Sequence, residues 1–129
     1  ELADITPPEW DKRFCVGVIA ASEGYPGSYR RGDRIRGLKA ASGREDVVVF
    51  QAGTAKVGDE LLTDGGRVLC VTGMGESIEA ARDCAYEAYD DLKWAGKFCR
   101  RDIGARVEGR KEHIRKMLGN LDRGSNGAE

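Results

Sequence analysis

Two adjacent glycines followed by an arginine, Gly65, Gly66 and Arg67 in the stretch TDGGRVL (63–69), are the residues best placed to do chemistry in this chain. Glycines permit backbone conformations and close approaches that a side chain blocks, so main-chain N–H groups can face an anion, and Arg67 adds a planar fork that stays charged. A phosphate fits that description. The same composition also suits a hairpin turn ahead of a strand, with Arg67 on the surface. The loop EGYPGSYRRGD (23–33) poses the same alternatives. Gly24, Gly27 and Gly32 allow tight bends, and Arg30 and Arg31 either reach an anionic ligand or stand in solvent.

Other features carry less. GMGES (73–77) links a strand to a helix, but it lacks the full GxGxxG pattern and its βαβ frame. His113 has no cysteine or aspartate at catalytic spacing, and Asp102 between arginines reads as one half of a structural ion pair. Tyr86, Tyr89 and Trp94 suit helix packing better than base stacking. Cys15, Cys70, Cys84 and Cys99 have no CxxC spacing and one histidine for company, so neither a zinc site nor a redox pair is expected. They read as reduced thiols of a cytoplasmic protein. No catalytic residue and no metal ligand is assigned within the chain.

The elements that must hold these loops follow from period and composition. FCVGVIA (14–20), RIRGL (34–38), VVVFQA (47–52) and GRVLCVTGM (66–74) read as strands. From Ser77 to Trp94 the period changes: Ile78, Ala81, Ala85, Tyr89 and Leu92 recur every three or four residues with charge elsewhere. That is an amphipathic helix, with Ser77 or Glu76 near its N-cap and Gly96 past its end. FCRRDIGARV (98–107) reads as extended, VEGRKEHIRKML (107–118) as a second, C-terminal helix, and GNLDRGSNGAE (119–129) as a disordered ending. Strands followed by a helix, with few crossovers, imply an α+β domain whose antiparallel sheet is covered on one face.

Size and charge bound the function. The chain has 129 residues, room for one domain, and its 18 glycines mark turns in a β-rich fold. No secretory leader is read at its start, and beginning at Glu1 hints at a fragment. The longest apolar run, 14–21, is far short of the ~20 residues that span a bilayer, so no membrane partner is expected. The formal net charge is -1, distributed unevenly. Residues 30–44 hold six basic groups against Asp33, residues 97–116 eight against three acidic, and residues 76–91 six acidic against Arg82. Nucleic acid is not favoured, because only 7% of residues are aromatic and no RNP, KH or finger signature occurs.

EGYPGSYRRGDRIRGL, VFQAGT, TDGGRVLCVTGMG, AARDCAYEAYDDL and CRRDIGARV stand in the order and spacing of the carboxy-terminal domain of phosphoribosylamine–glycine ligases, and the chain resembles that family over residues 9–107. The resemblance implies a small antiparallel sheet or half-barrel like the rudimentary hybrid motif, with one long flanking helix. It implies segments 1–13 leading in from an ATP-grasp domain, 14–107 as the domain itself, and 108–129 as a helical then disordered tail. It also implies an ATP-dependent carbon–nitrogen ligase of purine biosynthesis that joins glycine to 5-phosphoribosylamine through a glycyl phosphate. ATP and magnesium would sit on the upstream ATP-grasp lobes, so the chain alone would be inert. By analogy with related enzymes, Gly65, Gly66 and Arg67 would hold the substrate phosphate, with Arg30, Arg31, Gln51 and Thr54 lining the cleft. Many relatives carry histidine where Gln51 stands, which leaves hydrogen bonding as the role open to that side chain. The alternative is a stand-alone binding module that kept the fold without catalysis. A carrier domain of the biotinyl type is set aside, since no lysine sits at a hairpin tip between methionines.

Overall fold

The computed structural model describes residues 2–124. A short 3-10 turn, Leu2–Asp4, precedes the first strand, β1 (Phe14–Ser22), in which Val16, Val18 and Ala20 are buried and the residues between them face outward. Period-two alternation of this kind belongs to a strand with one covered face. The chain continues through α1 (Leu38–Ser42), β2 (Val47–Gln51), β3 (Thr54–Val57), β4 (Glu60–Thr63), β5 (Arg67–Gly75), α2 (Ile78–Asp91), β6 (Lys97–Phe98) and α3 (Ala105–Gly124). One antiparallel sheet has the order β2-β5-β1-β6, and β3 and β4 form a separate hairpin. The class is α+β, as expected.

The helix read from its spacing is α2. The Ser77 hydroxyl accepts a hydrogen bond from the Ala80 N–H at 3.0 Å, which fixes its start. Its buried face, Ala81, Ala85, Ala88 and Tyr89, is mostly alanine, so the helix lies close against β5 and β1. Leu69, Val71, Val18, Leu92 and Trp94 complete the core.

Three readings need correction. Arg34–Leu38 is not a strand: only Arg34 and Arg36 make isolated bridges, and Leu38 already begins α1. Gly37 breaks the run, since its φ is 81° and an added Cβ would lie 1.9 Å from the Asp91 carbonyl oxygen. The segment 98–107 is extended only at Lys97–Phe98 before turning into α3. Helix α3 runs to Gly124, so the disordered ending does not hold for 119–124, and 125–129 lie outside the described residues.

An ion pair ties the end of α1 to the end of α2: Arg44 Nε donates to Asp91 Oδ2 at 2.6 Å and Nη2 to Oδ1 at 3.2 Å. The guanidinium holds the Asp91 carboxyl below its ordinary 3.8, with slight burial opposing. A depressed folded-state pKa contributes stability above the unfolded value and loses it as pH falls through the folded one. Arg44→Gln should therefore destabilise the chain at neutral pH, with the difference shrinking toward zero as pH falls through the lowered folded-state pKa of Asp91. Urea unfolding across pH 2–7 measures this, and a pH-independent difference would rule out the pair as its source.

Candidate functional site

The turn 64–66 joins β4 to β5 across the two sheets, and its carbonyls are anchored to the end of β1. Ser22 N–H donates to Gly66 O at 2.8 Å and Ser22 Oγ to Gly65 O at 3.0 Å. On its other side, Gly53 N–H donates to Arg67 O at 2.9 Å and Asp64 N–H to Gly53 O at 2.8 Å. The paired glycines are explained by close packing. A Cβ on Gly65 would lie 2.9 Å from Gly53 Cα, and one on Gly66 would lie 2.0 Å from the Tyr25 ring. Sequence reading left an anion-facing turn and a plain turn ahead of a strand both open here; the backbone contact with Gly53 and the ring lying on Gly66 are close approaches that the glycines permit.

Beside this turn opens a groove of about 550 Å³, lined by Tyr25, Tyr29, Gly53, Gly66 and Arg67 with apolar Ile19 and Leu69. Arg67 is exposed and makes no ion pair among the described residues. A charged fork with its donors uncommitted, set against two aromatic walls, suits a ligand that pairs a phosphate with a less polar body.

The other expected residues divide. Arg31 stands near the rim: its guanidinium lies 5.5 Å from the Tyr29 ring centroid, 3.4 Å from the Tyr29 hydroxyl and 3.5 Å from Asp64. Its pKa is raised, by Tyr29 first and by Asp64. Arg30 does not join it. Asp33 takes Arg30 at 2.7 Å and raises its pKa, and the two line a separate recess of about 80 Å³ with Glu23 and Ala95. Thr54 Oγ1 donates to Gln51 Oε1 at 2.9 Å, so these side chains brace the turn 51–54, and neither lines the groove.

Tyr25 and Tyr29 are the site residues that sequence reasoning missed. Their ring centroids are 6.4 Å apart, and the available signal was two aromatics four residues apart in a glycine loop. Elsewhere Asp102 is held by Arg100 at 2.7 Å, and the Tyr86 hydroxyl donates to Arg100 O at 2.7 Å and accepts from Ile103 N at 3.2 Å. Both are structural, as expected. Tyr89 is buried, and burial foremost, then Cys99, pushes its hydroxyl pKa up. Burial also pushes the Cys84 thiol up. Among the described residues no group of three His, Cys, Asp or Glu could hold a metal, and no helix is long and apolar enough to cross a membrane.

Comparison with known proteins locates this fold. Residues 15–106 match the family described as phosphoribosylglycinamide synthetase, C domain. Phosphoribosylamine–glycine ligase of Allochromatium vinosum is 47% identical over 108 residues, 84% of this chain and 25% of that protein. The enzyme of that name from Escherichia coli O157:H7 is 47% identical over 106 residues, 81% of this chain and 24% of its own. The crystal structure of phosphoribosylamine–glycine ligase from Thermotoga maritima superposes with a TM-score of 0.65 at 36% identity, covering 78% of this chain and 24% of that one. This chain thus spans about a quarter of the relatives it matches, and it belongs to the phosphoribosylglycinamide synthetase C-domain family.

Proposed function

We propose that the chain is the substrate-side part of a phosphoribosylamine–glycine ligase, closing one wall of a cleft whose other walls are the enzyme's own ATP-grasp lobes. In this reading glycine is activated by ATP as glycyl phosphate, because a carboxylate oxygen is a poor leaving group until phosphorylated. The amine of 5-phosphoribosylamine attacks the activated carbonyl and phosphate departs, giving glycinamide ribonucleotide. Magnesium, held with ATP on the upstream lobes, would neutralise phosphate charge. The part played by this chain is to bind and orient: Arg67 takes the 5-phosphate, and Tyr25 and Tyr29 flank the sugar. A hybrid-motif fold and a cytoplasmic enzyme of purine synthesis go with the proposal.

The observation that carries it is the uncommitted Arg67 guanidinium at the mouth of a tyrosine-walled groove in a member of this family. The open face of the sheet supports it. Register places Ile19, Cys70 and Phe50 side by side there, with Val48 next to them, and Ile19, Val48 and Phe50 are 41%, 41% and 56% exposed. An uncovered apolar sheet face continuous through Ile19 with the groove is a surface that the rest of the enzyme would cover. The test is ADP release by the purified full-length protein. Release should need glycine and 5-phosphoribosylamine together and be absent for the 129-residue chain. Release that ignores glycine would overturn the reading.

A further inference from the structure

A second groove, of about 530 Å³ and sharing no lining residue with that of Arg67, is bordered by Arg34, Arg36, Lys93, Trp94 and Lys97, with Asp33 as its one carboxylate among the described residues. Its charge follows from a backbone pairing. Arg36 N–H donates to Lys93 O at 2.8 Å and Lys93 N–H to Arg36 O at 2.9 Å, so the two residues are directly opposed in an antiparallel bridge. Like charges opposed in this way repel.

Among the described residues no ion pair forms with either side chain. Lys93 Nζ donates to Asp90 O at 2.9 Å, and Lys97 Nζ to Tyr89 O at 2.8 Å and Leu92 O at 2.6 Å, all neutral acceptors. The nearby acids each hold another cation: Asp33, which itself lines the groove, Arg30 at 2.7 Å, Glu60 the bordering Arg34 at 3.1 Å, Asp90 Arg101 at 2.9 Å and Asp91 Arg44 at 2.6 Å. Burial foremost, then Lys93, lowers the Lys97 pKa.

An independent observation points to a missing acceptor. Trp94 borders the groove at 9% exposure, and its buried Nε1 has no hydrogen-bond partner. A buried donor left unpaired is costly and rare. We infer that this groove binds a tetrahedral oxyanion, the phosphate group of a small molecule, through Arg36, Lys93, Lys97 and the Trp94 indole N–H. The donor count selects phosphate over carboxylate. Two N–H remain on Lys93, while Lys97, bound to two carbonyls and 3.8 Å from the Tyr89 ring centroid, adds charge; with the guanidinium and the indole the donors exceed what two carboxylate oxygens accept well. The volume leaves room for the body of such a ligand.

The test uses the 129-residue chain carrying Trp10→Phe, which leaves Trp94 as its one tryptophan. Inorganic pyrophosphate is titrated against sodium chloride of matched ionic strength while the indole ¹H–¹⁵N resonance is followed. A saturable shift with pyrophosphate alone is expected, weakened about tenfold or more by Arg36→Gln with Lys93→Gln and unchanged by Arg67→Gln. An equal response to chloride overturns the inference, as does affinity that survives the double substitution or falls equally with Arg67→Gln. The comparison of the two salts on the parent chain decides the matter even if the double variant does not fold.

Discussion

Arg67→Ala in the full-length enzyme is expected to raise the KM for 5-phosphoribosylamine about ten- to hundredfold and to leave those for ATP and glycine nearly unchanged. The size follows from losing a charge-assisted hydrogen bond, about 1.5–3 kcal/mol. The selectivity follows from position, since Arg67 borders the groove and no ion pair among the described residues depends on it. Arg67→Lys should fall between, because an ammonium restores charge but not the two-pronged fork. Steady-state kinetics with each substrate varied in turn makes the check. Equal weakening for all three would mean that the substitution damages the fold.

A large effect on stability is expected at Gly73, where sheet and helix touch backbone to backbone. A Cβ there would lie 2.3 Å from Ala81 O and 2.5 Å from Ala85 N, atoms that cannot rotate aside. Gly73→Ala must push α2 off β5 and loosen Ala81, Ala85 and Ala88 together. Overpacking of this kind costs about 3 kcal/mol, a large share of the ~5–15 kcal/mol that holds a domain together. Gly58→Ala is the control: φ is 60° but nothing lies within 4 Å, so only backbone strain of about 1 kcal/mol applies. Urea denaturation should rank the two in that order, and a Gly73→Ala protein as stable as Gly58→Ala would refute the close packing.

How much of this was legible depended on whether one element sufficed to reveal it. Helix α2 could be read because Ile78, Ala81, Ala85 and Tyr89 share a face and Ser77 caps it. Strands β1, β2 and β5 announced themselves through β-branched runs. Arg34–Leu38 misled because charged and apolar side chains alternate as in a strand, while Gly37 turns the backbone into α1. The hairpin β3–β4 was missed, although Gly58 and Asp59 between Val57 and Glu60 are suitable turn residues.

The site was legible in its arginine and obscure in its walls. Composition does not distinguish Arg30 from Arg31; their separation depends on which near neighbour each side chain meets, Asp33 capturing one and Tyr29 flanking the other. Gly66 was noticed for a conformational freedom, but its use is to accept the ring of Tyr25, 41 positions earlier in the chain. The second groove was hidden for the same reason, since Arg36 and Lys93 become neighbours only through a bridge between distant segments.

The most direct measurement is a crystal structure of the full-length protein with glycinamide ribonucleotide bound. The 5-phosphate should lie with its oxygens about 3 Å from the Arg67 guanidinium and the ribose between Tyr25 and Tyr29. A phosphate held by another part of the enzyme, with Arg67 turned to a carboxylate of a neighbouring lobe, would contradict the account.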